Sequence, residues 1–282
     1  MQPAILILLV LAAPSHAAAE NPAPPLKEVV RKSIAGLYLE EERRGEFLFK
    51  ARNERRELDA SGKVTSQSSH VWERIEIDGF AFGRTIERDG KPLTPAERKS
   101  EEAAIQKRLT ELKAPVRSAG VGGRSPAASA TPPRRPPQEE WFQEFPEALN
   151  YKLNGEEILH GRPALRLEAE PKPGYQPKNM RARVFEKMKA NIWIDKATSE
   201  LVKADAEIFD TVNVGFGVLG RIEKGTHFTI QRRLVDGNVW LIESQSLRFG
   251  ARILLFKNMR TESVTQWTDF HRRPTKADGA KP

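Results

Sequence analysis

From Val184 to Phe270 apolar and polar residues trade places every one or two positions, and turn residues punctuate the run. That alternation predicts antiparallel strands, near Ala182–Asp195, Leu201–Thr211, Thr226–Val235, Val239–Phe249 and Ala251–Phe270. The turns between them fall at Asp195-Lys196-Ala197-Thr198 and Asp236-Gly237-Asn238. Upstream, the same period gives strands over Phe47–Leu58, Ser66–Ile77 and Phe80–Arg88, joined at Asp59-Ala60-Ser61-Gly62 and Asp78-Gly79 and closed by Asp89-Gly90. Tyr151–Glu170 reads as a hairpin in which Leu165 and Leu167 alternate with Arg166 and Glu168.

Three stretches switch to helical spacing. In Pro25–Arg44, residues Leu26, Val29, Val30, Ile34, Leu37 and Tyr38 fall on one face, Pro25 suits the first helical position and Gly45 suits a stop. Thr94, Pro95 and Glu97 spell a capping box ahead of a helix to about Leu112. Its stripe of Ile105, Leu109 and Leu112 is thin, which fits a lid or surface cover better than a core element. Trp141, Phe142, Phe145 and Leu149 share one face of a short segment interrupted by Pro146, expected to pack over an opening of the sheet. Between them, Ala114–Gln138 is rich in Pro, Gly, Ala and Ser and has no apolar period, so it is expected to be disordered. The tail from His271 is basic and expected to fray. The fold class is therefore mainly β with α (α+β): a curved antiparallel sheet or unclosed barrel of about 8–11 strands, with an N-terminal helix and a helical lid. The remainder, residues 20–270, reads as a single domain carrying the insert.

The N-terminus changes the compartment. Ala4–Ala13 is an apolar run, too short for the ~20 residues a bilayer span requires. Ala17-Ala18-Ala19 then fits small-residue cleavage, so residues 1–19 read as a secretory signal peptide cut near Ala17 or Ala19, with a soluble periplasmic product. No Lys or Arg precedes the apolar run. The absence of cysteine excludes disulfides, thiol catalysis and Cys-ligated zinc. A net charge of +8 draws on 46 basic and 38 acidic residues that are interspersed, which describes a mixed surface more than a polyanion-binding one.

Gly215-Phe216-Gly217-Val218-Leu219-Gly220 spells the G-x-G-x-x-G dinucleotide fingerprint, and Asp236 follows 21 residues after Gly215. A cofactor site also requires a helix opening at the glycines, to present free N–H groups and a dipole to pyrophosphate. Only Arg221–Gly225 separates the motif from the next strand pattern, so there is no room for one. The run is read as a bent strand or apolar flap, and no cofactor is expected. His70, His160, His227 and His271 lack metal-ligand spacing, there is no HExxH and no G-x-S-x-G, and the basic residues do not interleave with stacking aromatics. No enzyme activity, metal or nucleic-acid partner is expected.

The aromatics carry the remaining signal. Trp193, Phe209, Phe216, Phe228, Trp240, Phe249 and Phe256 fall about one per strand, and Asn191-Ile192-Trp193-Ile194 is apolar on both faces. This fits a curved sheet with one face on a helix and the other on a cavity, and it fits an ordinary sandwich core equally well.

Tyr151-Lys152-Leu153 running into His160-Gly161-Arg162-Pro163-Ala164-Leu165-Arg166-Leu167, then Ala190-Asn191-Ile192-Trp193-Ile194-Asp195 and Leu201-Val202-Lys203-Ala204-Asp205, resembles the LolA/LolB-like superfamily of periplasmic lipoprotein-binding proteins, whose wider circle includes RseB. The resemblance implies an unclosed antiparallel barrel plugged by helices, with a cavity for acyl chains. It implies a non-catalytic carrier or sensor for a lipid, a lipoprotein acyl chain or another hydrophobic ligand, as in outer membrane lipoprotein sorting, with an envelope protein as a further partner. The cavity lining would include Trp193, Phe209, Phe216, Val218, Leu219 and Trp240. The family's functional arginine aligns with no position here. The alternative is a structural or interaction module of the cell envelope with a filled core and no ligand.

Overall fold

The computed structural model describes residues 25–114, 140–214, 220–253 and 257–274. The expected signal peptide, the Pro-rich insert beyond Ala114, Phe216, Val218 and Leu219, and the end of the tail lie outside the described residues.

Helix α1 spans Leu26–Tyr38 and α2 spans Glu40–Arg44. The single helix expected over Pro25–Arg44 is therefore jointed at Leu39, and Pro25 is the N-cap rather than the first helical residue. The apolar stripe ends at Tyr38, and the joint redirects Glu-Glu-Glu-Arg-Arg so that Glu40 is buried against the sheet. Strands β1 (Phe47–Leu58), β2 (Val64–Ile77), β3 (Phe80–Arg88) and β4 (Lys91–Pro92) form the first meander. Helix α3 (Pro95–Lys113) follows, started by the expected Thr94–Glu97 capping box. A 3-10 segment, Glu140–Glu144, leads into the one-turn α4 (Phe145–Ala148).

The second meander comprises β5 (Leu149–Leu159), β6 (Arg162–Pro171), β7 (Met188–Asp195), β8 (Leu201–Ile208), β9 (Val212–Val214), β10 (Gly220–Ile222), β11 (His227–Val235), β12 (Val239–Ile253) and β13 (Lys257–Arg272). Met180–Lys187, expected to begin a strand at Ala182, is instead a 3-10 segment that buries Ala182 and Phe185, three residues apart, on one edge. The expected break between Phe249 and Ala251 is also absent. Gly250 lies inside β12, where an added Cβ would stand 2.7 Å from Glu223 Oε2, so this glycine permits a close approach rather than ending a strand.

All thirteen strands join one antiparallel sheet, in the main order β4-β3-β2-β1-β13-β12-β11-β8-β7-β6-β5, with β9 and β10 beside β12. The strand count exceeds the expected range because the three-residue β9 and β10 leave too little pattern to read. β4 and β5 are free edges, so the sheet is unclosed. Its two meanders are fused by β1 against β13, from Phe47↔Arg272 to Leu58↔Arg260. Asp78-Gly79, Asp89-Gly90 and His160-Gly161 each place two successive residues at positive φ, the two-residue hairpin turn whose twist matches the strands.

Helices cover opposite faces at the two ends of this sheet. On what we call the inner face, α1 sets Val30 and Ile34 against Leu167, Ile192, Ile194, Leu201 and Ile230. On the outer face, the α3 stripe packs on Ile75, Ile77, Phe80 and Phe82. α3 is thus a cover for the back of β2 and β3, remote from the face that α1 lies on.

Candidate ligand-binding face

The inner face is built from alternate residues carried in register across the strands. Ile230 on β11 leads through Gln245, Thr265 and Asn53 to His70 on β2. The next row on the same face is Trp267–Ala51–Trp72, and beyond it Phe49 stands opposite Arg74. Phe49, Ala51 and Trp267 are buried together, with half-buried Trp72, Ile242 and Phe270 against them. Phe49 meets Trp72 edge-on at 5.4 Å and Phe270 at 5.8 Å. Ile242 also packs on the core beneath α1, so the apolar surface is continuous from that core to the aromatic wall.

One end of the covered region carries an aromatic cluster built on the segment around Trp141. Trp141 stacks on Phe185 at 5.3 Å, Phe142 packs on Phe145 at 5.4 Å and meets Tyr38 edge-on at 6.5 Å. The Tyr38 hydroxyl is buried without a partner among the described residues, and burial pushes its pKa above the ordinary phenol value.

The α1–α2 joint is fixed by charge. Glu200 Oε1 accepts from Arg43 at 2.7 Å, and Glu200 Oε2 accepts from Arg232 Nη1 at 3.0 Å. Arg232 is fully buried and also donates to the carbonyls of Leu201 (3.1 Å) and Trp240 (2.8 Å). Burial lowers its pKa, and Glu200 opposes that shift. Glu40 accepts from the Ile242 N–H at 3.1 Å and from Nε and Nη2 on one edge of the Arg44 guanidinium, and Arg44 in turn lies 5.0 Å over the Trp267 ring. Nothing in the composition singles out these residues; Arg232 and Arg233 are neighbours in sequence, and only the fold buries the first and half-exposes the second.

The residues expected to line a cavity are distributed as follows. Trp193 alternates with Ile192 and Ile194 and so points away from α1. It clusters with Ala164, Val202 and Trp240, lies between Lys203 (4.5 Å) and Arg166 (5.6 Å), and donates to Glu157 at 2.9 Å. Trp240 is buried in the same cluster and donates to Thr198 at 3.2 Å. Phe209 follows the end of β8 and is half-buried. Phe216, Val218 and Leu219 lie outside the described residues; the described ends of their loop are held by Gly220 pairing with both Val214 and Ile253. The structure brings Trp193 and Trp240 together and does not join them to the wall of Phe49, Trp72 and Trp267. That wall combines residues about 200 positions apart and has no local sequence signal.

Among the described residues, no three His, Asp or Glu side chains are grouped to hold a metal ion, and no helix is long and apolar enough to cross a membrane. No family model matches the chain, and no curated protein matches it. Solved structures similar to it include a domain from Vibrio parahaemolyticus described as outer membrane lipoprotein-sorting, at 12% identity and TM-score 0.29, covering 87% of this chain and 96% of the other. A LolA superfamily protein from Nitrosomonas europaea aligns at 10% identity and TM-score 0.27 over 87% and 96%. The Pseudomonas aeruginosa MucA/MucB complex aligns at 10% identity and TM-score 0.20 over 86% and 100%. At such identities and TM-scores these similarities assign no ligand or partner, and the unclosed sheet is read from its own strand order.

Proposed function

We propose that the protein is an exported, non-catalytic carrier or sensor that holds a lipid, a lipoprotein acyl chain or another hydrophobic ligand against the inner face of its sheet. The observation that supports this reading is that the apolar inner face outruns its helical cover. Past α2 it continues through Ile242 to Trp72 and Phe270, which stay partly open to solvent. An acyl chain laid there would gain about 0.8 kcal/mol for each methylene it buries. Native mass spectrometry of the protein purified from cell envelopes, with melting curves in added lipid, tests the reading. Co-purified lipid and a raised Tm are expected; neither appearing would count decisively against a carrier.

A second reading, an interaction module of the envelope, draws on a different observation. Ile158 is 70% exposed and Leu153 46% exposed on the free edge strand β5. If that edge is the working surface, Ile158→Lys abolishes partner capture and leaves lipid-dependent melting unchanged.

A further inference from the structure

The aromatic wall carries an unmet demand for negative charge. Arg74 sits on the inner face of β2, opposite Phe49 on β1, with its guanidinium 6.0 Å over the Phe49 ring. It makes no ion pair or hydrogen bond among the described residues, and its Nε–H is buried without an acceptor. The arginines around it are already engaged. Arg44 is held by Glu40, and Arg273 by Glu76 and the carbonyls of Gly45 (3.2 Å) and Gly79 (3.0 Å). Glu41 attracts Arg74 without touching it, while burial and repulsion from Arg273 and Arg44 depress its pKa. A second donor in the wall is equally orphaned: Trp267 is 6% exposed, and its indole N–H has no partner among the described residues.

Buried donors without acceptors are costly and uncommon in a folded protein, and these two point to a missing acceptor. The wall also leaves room for one. On β3 the residue opposite Arg74 is Gly83, where an added Cβ would touch only Trp72, at 3.7 Å. Trp72 and Arg74 are themselves only partly buried, so the spot is reachable from solvent.

We propose that Arg74 and Trp267 bind the anionic oxygens, carboxylate or phosphate, of an amphiphile whose apolar chain lies along the inner face. The proposal rests on the carrier reading for the chain and on the orphaned donors for the head. Arg74 supplies a planar fork suited to either oxyanion, and the Trp267 N–H supplies a single directed bond. A neutral alcohol of the same length would fill the wall but offer only one uncharged acceptor, too little to pair the guanidinium fork or its charge.

The test compares laurate, dodecyl phosphate, dodecanol and inorganic phosphate by calorimetry on the full chain, in wild type, Arg74→Gln, Arg74→Lys and Trp267→Phe. Laurate and dodecyl phosphate should bind at least about tenfold more tightly than dodecanol. Arg74→Gln should remove that advantage without altering dodecanol binding, Arg74→Lys should restore part of it, and Trp267→Phe should weaken the anions several-fold. Because Arg74 stands among like charges, Arg74→Gln should leave Tm unchanged or raise it; a fall in Tm would assign Arg74 a structural role and overturn the proposal. Equal binding of dodecanol and the anions would overturn the anion site and leave the carrier standing. Binding of inorganic phosphate as tight as that of dodecyl phosphate, lost in Arg74→Gln, would uphold the anion site and overturn the carrier. No binding of any probe would overturn both.

Discussion

Nη1 of Arg232 lies 3.0 Å from Oε2 of Glu200, and with Arg43 of α2 2.7 Å from Oε1 the same carboxylate ties α2 and β11 to the residue before β8. Arg232 has no exposed side-chain surface, so removing its carboxylate leaves a buried charge with only carbonyl partners. Glu200→Ala should cost about 3–5 kcal/mol in urea unfolding. Arg232→Met should cost less, because Glu200 keeps Arg43 at 2.7 Å and some contact with water. A loss under about 1 kcal/mol in Glu200→Ala would show that this carboxylate does not hold α2 and β11 in place.

Gly36 is the complement of that carboxylate. A Cβ at Gly36 would stand 2.2 Å from Glu200 Oε2, whose position is fixed by two arginines. Alanine is better than glycine in a helix by about 1 kcal/mol, yet Gly36→Ala should lower Tm here. In a Glu200→Ala background the same change should raise Tm. A double-mutant cycle reads the reversal directly.

The β7–β8 turn is pH-sensitive through Asp195. Its buried carboxylate accepts from Arg162 (2.7 and 3.0 Å), the N–H groups of Ala197 (3.1 Å) and Thr198 (2.8 Å), and the Thr198 hydroxyl (2.9 Å). Burial works to raise its pKa, but these bonds outweigh it and the folded value falls below the ordinary one. The stabilisation is therefore complete above the unfolded value of about 4 and is lost as pH falls through the folded pKa. Asp195→Asn should lower Tm by several degrees at pH 7, and the gap from wild type should close below about pH 4. A gap independent of pH would assign the effect to shape alone.

All three tyrosines titrate high. Burial is the leading cause for Tyr38, Tyr151 and Tyr175, with Glu144 adding to the effect at Tyr175 and Glu147 at Tyr151. Tyr151 donates to the Phe145 carbonyl at 2.8 Å and Tyr175 to Glu144 at 2.6 Å. The unfolded chain ionises near pH 10 and the folded one above it, so stability falls as pH rises past about 10. Absorbance at 295 nm should show phenolate appearing together with unfolding; free titration of any tyrosine near pH 10 in the folded state would contradict its burial.

Ligand affinity should separate the two tryptophan clusters. Trp72→Ala trims the half-open wall and should weaken a twelve-carbon amphiphile by about fivefold or more, the loss of a few buried methylene contacts. Trp193→Phe, on the far side of β7, should change affinity little while lowering stability through its lost bond to Glu157. Fluorescence titration distinguishes them, and the reverse ranking would move the ligand to the outer face.

The hairpins were legible because their chemistry is local. Asp-Gly at residues 78–79 and 89–90 carries its own turn geometry, and Thr94-Pro95-Ala96-Glu97 starts a helix in any context. Alternation fixed which residues of β6 and β7 share a face, but not which face meets a helix. Trp193 is the case in point: apolar neighbours on both sides make it look like cavity lining, while its register sets it against Lys203 and Arg166. Gly250 reads as a break because glycine weakens strands, yet its reason is a contact with Glu223, which only the packing of β10 and β12 creates.

The sequence by itself determined the mainly β class and the positions of the tight turns, which depend on residues a few places apart. The tertiary structure alone decided that β1 pairs with β13, that Arg232 is buried beside half-exposed Arg233, and that Arg74 and Trp267 share one face with N–H groups that find no acceptor among the described residues. Those facts arise from contacts between residues more than 200 positions apart in the β1–β13 pairing, whose free energy comes from burial and charge pairing across strands and leaves no period in the chain.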